Sequence, residues 1–111
     1  MPDQPASEDA DERLAMSRLR GAVGSDFDVL GGDGATAAVA LNLTEVNERP
    51  APPGYEQYSA LLRGPLSPEL KQATYALRHP DFGTLPLFIV PVGRDRDGVI
   101  YEACVVRRAT A

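Results

Sequence analysis

The sequence predicts a mainly β protein, in which six antiparallel strands form a small barrel or a curled sheet beside one short N-terminal helix. Three observations carry this prediction. Apolar residues recur at every second position in most segments after residue 26, which is the spacing of strands with one buried face. Residues typical of turns separate these segments. Helical spacing of apolar residues is found only near the N-terminus.

Size and charge limit the class of protein. A chain of 111 residues with 43% hydrophobic residues can form one domain with its own core. Residues 1–8 combine prolines with small and acidic residues, so we expect a disordered leader there and a single β domain over residues 9–111. The formal net charge of −5 comes from the first twelve residues, because eleven basic groups match eleven acidic ones after them. Without a basic cluster, nucleic acid is not an expected partner.

The chain shows no membrane or export signal and few groups for metal or redox chemistry. Its longest uncharged apolar stretch, residues 83–93, is far shorter than the roughly 20 residues that cross a bilayer, and the N-terminus lacks a basic start. We therefore expect a cytoplasmic protein without a membrane span. Cys104 has no second cysteine to pair with, and with the single histidine His79 it makes too small a ligand set for zinc. No cofactor or metal is predicted.

The first half of the chain predicts a helix followed by a hairpin. Asp9 and Glu12 have the spacing of a capping box, and a helix over about residues 10–20 would place four apolar side chains on one face. The first strand is centred on Phe27, and the GGDG run at 31–34 predicts a tight turn back into the second strand. The predicted inward residues are Ala15, Leu19, Ala22 and Val23 of the helix, Phe27 and Val29 of the first strand, and Val39, Leu41 and Leu43 of the second.

The middle of the chain predicts a loop, two strands and a turn of helix between them. Three prolines in residues 49–54 lack the amide donors that a sheet needs, which indicates a loop. Tyr58, Ala60 and Leu62 alternate with other residues in a third strand. Ser67 followed by Pro68 has the pattern of a helix start and predicts a single helical turn. A fourth strand places Tyr75 and Leu77 on one face.

The last two strands carry apolar residues on both faces. In the fifth strand Leu85, Leu87 and Ile89 alternate with Phe88, Val90 and Val92, and we expect Pro86 near its start and Pro91 at a bend or bulge. The DRDG sequence at 95–98 predicts a hairpin into the sixth strand. The second apolar face then consists of Phe88, Val90, Ile100, Cys104 and Val106. The N-terminal helix is the expected cover for this face, with a partner protein or a second copy as alternatives.

No motif in the chain predicts catalysis. His79 and Cys104 lie on different strands without a third orienting group, so a histidine that caps a turn and a small buried thiol are the favoured interpretations. The acidic residues of DRDG lack the glutamate that a calcium loop needs at its twelfth position, and GGDG lacks the Gly-Lys-Ser/Thr ending of a phosphate loop. The remaining candidate carboxylates fall mostly on solvated faces: Asp26, Asp28, Glu45 and Glu102.

Several sequence elements together resemble a family of short, uncharacterised bacterial proteins. They are Gly-Pro at 64–65, YALRHP at 75–80, the G-x-x-x-LFIVPVG run at 83–93, Tyr-Glu-Ala at 101–103 and the alternating run from Val39 to Val46, and the resemblance covers residues 14–108. Members of that family commonly carry an aromatic residue after Tyr-Glu-Ala, where this chain has Cys104 and Val105. The family has no established activity, so the resemblance implies no catalytic residue. Members that accompany phage-tail-like or tail-collar proteins imply an accessory role in such an assembly.

The residues and the resemblance together predict a non-enzymatic structural or interaction module. Its expected partner is another protein or a second copy, and the interaction face is formed by Phe88, Val90, Ile100 and Val106. The alternative is a small enzyme or ligand-binding barrel whose pocket lies in the interior. A large interior cavity with convergent polar groups would favour the alternative, whereas a filled core favours the interaction module.

Overall fold

A six-stranded antiparallel sheet that closes on itself into a ring forms the body of the protein, as the sequence predicts. The computed structural model describes residues 12–31 and 37–108. Neighbouring strands around the ring follow the order β1-β2-β3-β6-β5-β4. The strands are β1 (Asp26–Leu30), β2 (Ala37–Arg49), β3 (Tyr55–Gly64), β4 (Ala73–His79), β5 (Gly83–Asp95) and β6 (Gly98–Arg108).

The N-terminal helix is shorter than predicted. A 3-10 turn spans Glu12–Leu14 and helix α1 spans Met16–Arg20, with a break at Ala15. Tertiary hydrogen bonds explain the break, because the Met16 N–H donates to Glu56 Oε2 at 2.9 Å and the Leu14 carbonyl accepts from Tyr58 Oη at 2.6 Å. Because these two backbone groups bond to side chains of β3, they do not form the hydrogen bonds of a continuous helix. Asp9, the other half of the predicted capping box, lies outside the described residues.

Alternation along the described strands builds the core as predicted, with a shift of register in three of the strand pairs. Phe27 pairs with Leu41 in the predicted β1–β2 hairpin, whose turn falls largely outside the described residues. A bulge between Leu43 and Glu45 changes which residues of β2 face inward, so that Val46 is buried together with Leu41 and Leu43. The predicted bend in β5 is also confirmed, since its pairing with β6 shifts between Pro91 and Gly93.

The segment between β3 and β4 contains bends and no helical turn, so the predicted turn at Ser67 and Pro68 is wrong. The segment is held by contacts with the ring. The Leu70 N–H donates to Tyr101 Oη at 2.8 Å, and the Leu70 side chain packs against the core. The Leu70 N–H thus bonds to the Tyr101 hydroxyl of β6, whereas in a helical turn it would point along the helix axis.

Two buried tyrosines connect the ring to the segments at its two ends. Tyr58 and Tyr101 point inward and are 0% exposed, and each hydroxyl is hydrogen-bonded to backbone outside the sheet. Tyr58 reaches the N-terminal segment and Tyr101 reaches Leu70, which lies beyond the opposite end of β3. Both hydroxyls are therefore satisfied while the rings fill the core.

Candidate interaction surface

The predicted second apolar face lies on the outside of the ring, on β5 and β6. We call it the β5–β6 outer surface and define it by six side chains. Phe88 is 50%, Val92 53% and Val106 59% exposed, and Cys104 is also exposed, whereas Val90 and Ile100 are half-buried. The structure thus brings the predicted residues onto one side of two neighbouring strands. The surface consists of Phe88, Val90, Val92, Ile100, Cys104 and Val106.

Helix α1 does not cover this surface, so the expectation that it does is wrong. The helix packs against β2 and β3 at one end of the ring. Leu19 and Ala22 are buried there, whereas Val23 is 45% exposed. The prediction placed Val23 on the helical face because it extended regular helical spacing to that residue. Helix α1 instead ends at Arg20, and turns follow it. Cys104 was likewise expected to be buried and is exposed.

A polar cluster interrupts the outer surface at Glu102. This residue pairs with Val90 of β5 and with Leu61 of β3 in the sheet. Its carboxylate accepts a hydrogen bond from Ser59 Oγ at 2.6 Å and lies 3.5 Å from Arg49 Nη2. Glu102 is therefore held by neighbours on the sheet, which agrees with the interpretation of the candidate carboxylates as ordinary surface charges.

The interior of the ring is occupied by apolar side chains. Among the residues that the structure describes, twenty buried hydrophobic residues form one cluster, which includes inward residues of all six strands together with Leu19, Ala22 and Phe82. The largest fully buried members are two tyrosines, Phe27 and several leucines. An interior packed in this way is typical of a small closed sheet whose side chains fill its centre.

A charged pair lies where the interior meets the N-terminal segment. Arg107 is 7% exposed, and its Nη1 donates to Glu56 Oε2 at 3.0 Å. The same oxygen accepts the Met16 N–H. Because the burial of a charge is costly unless it is paired, this carboxylate both compensates the arginine and fixes the start of α1.

His79 is a structural residue in this arrangement, as the sequence predicts. It is buried, with its ring centroid 4.5 Å from that of Phe27 and 5.0 Å from that of Phe82. Its Nδ1 accepts the Asp81 N–H at 3.0 Å, which places the proton of the neutral ring on Nε2. His79 points inward and Cys104 outward, so the structure does not bring these two residues together.

The sequence analysis missed Ser25, whose Oγ lies 2.9 Å from His79 Nε2. Since Nε2 carries the proton, the histidine donates to the serine, and Ser25 Oγ donates to the Ala22 carbonyl. A catalytic base would instead accept the serine proton and would have an acceptor on Nδ1. The pair therefore fastens the turn after α1 to the end of β4. Its 54-residue separation leaves no local signal in the sequence.

The DRDG sequence forms the predicted hairpin turn. Asp95 pairs with Gly98 across it, and Asp95 Oδ1 accepts the N–H groups of Asp97 and Gly98. The Asp95 carboxylate also accepts hydrogen bonds from Arg63. The Arg63 guanidinium lowers the pKa of the Asp95 carboxyl below its ordinary value, and the pKa of Arg63 is raised in return. These contacts stabilise the hairpin and direct the carboxylate oxygens toward protein donors.

A groove adjoins the outer surface. It has a volume of about 430 Å³ and lies between the segment before β4 and the bulge of β5. Val90 belongs to both the groove and the outer surface. The groove is lined by Glu69, Leu70, Lys71, Gln72, Val90 and Pro91.

No helix in the described part of the chain is both long and apolar enough to cross a membrane.

The fold and this surface define a class of protein: a closed antiparallel β-sheet with an apolar interior and an apolar patch on its outside. The chain belongs to the family of the domain of unknown function DUF6916, whose family model matches residues 14–105. The resemblance to an uncharacterised family is thereby confirmed, whereas no named homologue supports an association with phage tails. No curated protein and no solved structure matches the chain.

Proposed function

We propose that the protein is a non-enzymatic interaction module that binds another protein through the β5–β6 outer surface. The observation that carries this proposal is the exposure of Phe88, Val92 and Val106 on neighbouring strands, without a cover from α1. Apolar side chains that cluster on the outside of a sheet are typical of an interaction site.

The interior supports the same proposal. Apolar residues from all six strands occupy it, and tyrosine hydroxyls connect it to segments at both ends of the ring. A ligand-binding barrel would need room and convergent polar groups at that place. The polarity of the Ser25–His79 pair also favours a structural role over nucleophilic catalysis.

The sequence resemblance extends the proposal to an accessory role in an assembly such as a phage-tail-like structure. This extension rests on the resemblance alone. The partner proposed from the surface is a protein with a complementary apolar patch. The described residues beside the surface carry both signs of charge, for example Glu102 and Arg94, so they do not select a partner of one charge.

The experiment that tests the proposal compares two valine-to-aspartate variants of the full-length chain. Val106→Asp introduces a charge on the outer surface, whereas Val23→Asp introduces the same charge at a similarly exposed valine on the turn after α1. Each protein is used as bait in lysate of the cells that produce it, and recovered proteins are confirmed by binding of the purified pair. We expect the wild type and Val23→Asp to bind the same protein and Val106→Asp to lose it.

Circular dichroism and thermal melting are the controls that both variants remain folded. Undiminished binding by folded Val106→Asp and Phe88→Asp would contradict the proposal. A wild-type chain that binds no protein and stays monomeric at high concentration in light scattering would contradict it as well.

A further inference from the structure

The groove beside the outer surface exists because the pairing of two strands ends early. Strand β4 pairs with β5 as far as Ala73 and Ile89, and β5 pairs with β6 from the next residue, Val90. Residues 69–72 lie across the groove from Val90 and Pro91 and belong to no strand. A volume of about 430 Å³ remains between the two stretches. Room for a bound group is thus part of the fold.

Two contacts hold the walls of the groove in place. The Tyr101 hydroxyl accepts the Leu70 N–H at 2.8 Å, and the backbone of Tyr101 pairs with Pro91 on the opposite wall. Arg94 of β5 donates to Glu69 Oε1 at 3.0 Å and so connects the same two walls. The groove is therefore preformed, which lowers the entropic cost of binding.

The lining of the groove combines apolar side chains with one charge that no described residue neutralises. Leu70, Val90 and Pro91 are half-buried and present apolar surface. The carboxylate of Glu69 is already compensated by its arginine partner. Lys71 is exposed and takes part in none of the ion pairs among the described residues. A group that is apolar at one end and negatively charged at the other complements this lining.

The described residues of a second copy do not supply such a group. Among the large apolar side chains that are exposed, only Tyr55 has an acidic neighbour in the sequence or across the sheet. That neighbour is Glu56, whose carboxylate already bonds to Met16 and Arg107. The residues outside the described part of the chain include acids but no leucine, isoleucine, valine or aromatic residue.

We propose that the groove binds a large apolar side chain of the partner protein, with an aspartate or glutamate beside that side chain placed against Lys71. This inference rests on the proposed function and specifies the chemistry of the partner. Val90 lines both the groove and the outer surface, so a protein that covers the outer surface is positioned to insert a side chain here. Apolar anchors in preformed pockets supply much of the affinity of protein complexes, and charges at the rim supply specificity.

Short peptides with blocked ends test the groove on the free full-length chain. The probe is acetyl-Gly-Phe-Glu-Gly-amide, and its matched controls replace the phenylalanine by alanine or the glutamate by glutamine. Lys71 is the only lysine in the sequence, so reductive methylation with a ¹³C label marks it together with the N-terminal amine and keeps its charge. NMR titrations follow the methyl signal of Lys71 and, in unmodified protein, the amide signals of Leu70, Gln72 and Val90.

The probe should shift the signals at all four positions. We expect the alanine control to bind about 10-fold more weakly, because it lacks the side chain that the groove buries. The glutamine control should bind about three-fold more weakly, since an exposed ion pair contributes little affinity.

A reversal of charge at Lys71 tests the ion pair. Lys71→Glu should bind acetyl-Gly-Phe-Lys-Gly-amide more tightly than the probe, which reverses the preference of the wild type. Arg96→Glu is the matched control, because it makes the same change of charge at an exposed residue of the β5–β6 hairpin. It should bind the probe as the wild type does. Thermal melting checks that both variants remain folded.

Four outcomes would overturn this inference. Equal binding of the probe and both controls would show that the groove does not select this chemistry, and an unchanged preference in Lys71→Glu would remove the role of the lysine. Shifts of the groove signals that grow with protein concentration in the absence of peptide would assign the groove to a second copy. Tighter binding of 3-phenylpropionate than of the probe would assign it to a free organic acid.

The natural partner separates this inference from the proposed function. If Val106→Asp abolishes binding of the partner while the partner leaves the groove signals unshifted, the proposed function stands and this inference fails. If folded Val106→Asp and Phe88→Asp retain the partner, the proposed function itself fails.

Discussion

Single side chains in this protein often hold together parts that are far apart in the sequence. Arg63 of β3 bonds to Asp95 of the β5–β6 hairpin, and Ser25 bonds to His79. Such contacts give polar groups partners and fix the ends of strands. The same bonds make His79 Nε2 a donor and direct donors toward the Asp95 carboxylate.

The Arg63–Asp95 contact predicts a pH-dependent contribution to stability. Because the pKa of Asp95 is lowered in the folded state, the contribution is present above the ordinary aspartate pKa of about 3.9 and is lost as the pH falls through the lowered value. Asp95→Asn keeps an oxygen that can accept the turn N–H groups but removes the charge. We expect the wild type to exceed Asp95→Asn in urea midpoint at neutral pH and the difference to shrink toward zero near about pH 2.

Asp97→Asn is the control for this prediction. It removes a carboxylate from the same turn without removing the one that Arg63 contacts. A difference between wild type and Asp95→Asn that stays constant from neutral to acid pH would show that the ion pair contributes nothing to stability, as many exposed pairs do.

At the scale of elements, the place of an element in the ring decides which of its residues are buried more than its local sequence pattern does. Helix α1 closes one end of the sheet, and its buried residues follow from its contacts with β2 and β3. Strands β2 and β5 each carry a bulge within a few residues of the point where their pairing passes from one neighbour to the other. The bulge in β5 lies at Val92, whose side chain is exposed.

Two substitutions near the N-terminus should therefore have unequal effects. Leu19→Ala removes a side chain that is 3% exposed and should lower the free energy of unfolding by about 2–5 kcal/mol. Val23→Ala, at a site 45% exposed, should change it by about 0.5 kcal/mol or less. Chemical denaturation of both variants measures the difference. Equal effects would indicate that residues 21–24 pack on the core as a continuation of the helix.

At the scale of the whole molecule, the two ends of the ring are closed by different segments that use the same device. A buried tyrosine on β3 holds the N-terminal segment, and another on β6 holds the segment before β4. The core between them is one cluster, so both ends contribute to a single cooperative unit.

Removing one of the two tyrosine hydroxyls should accelerate amide exchange at the end of the ring where that hydroxyl bonds, and not at the other end. Tyr101→Phe and Tyr58→Phe each remove a hydroxyl that is hydrogen-bonded to backbone outside the sheet, and each should cost about 1 kcal/mol, since the ring packing is kept. Tyr101→Phe should accelerate exchange of the Leu70 amide well beyond the global loss of stability, and Tyr58→Phe should not. Identical exchange at Leu70 in the two variants would refute the assigned role of Tyr101.

The sequence by itself determined the class of fold, the strands and most of the buried face. Alternation of apolar residues is a local property, and it placed Leu41, Tyr58 and Tyr101 inward because successive side chains of a strand point to opposite sides. The same rule predicted that Phe88, Val90, Ile100 and Val106 share a face, and the hairpin at DRDG followed from turn chemistry. The period of the apolar residues was thus enough to predict which of them share the outer face of β5 and β6.

Only the tertiary structure decided what covers each face and which polar groups meet. The sequence could not show that Glu56 and Tyr58 would interrupt the N-terminal helix, that α1 would close an end instead of covering β5 and β6, or that Ser25 would meet His79. These outcomes depend on strand register, on bulges and on contacts between distant residues, because a shift of one residue moves every later side chain to the opposite face.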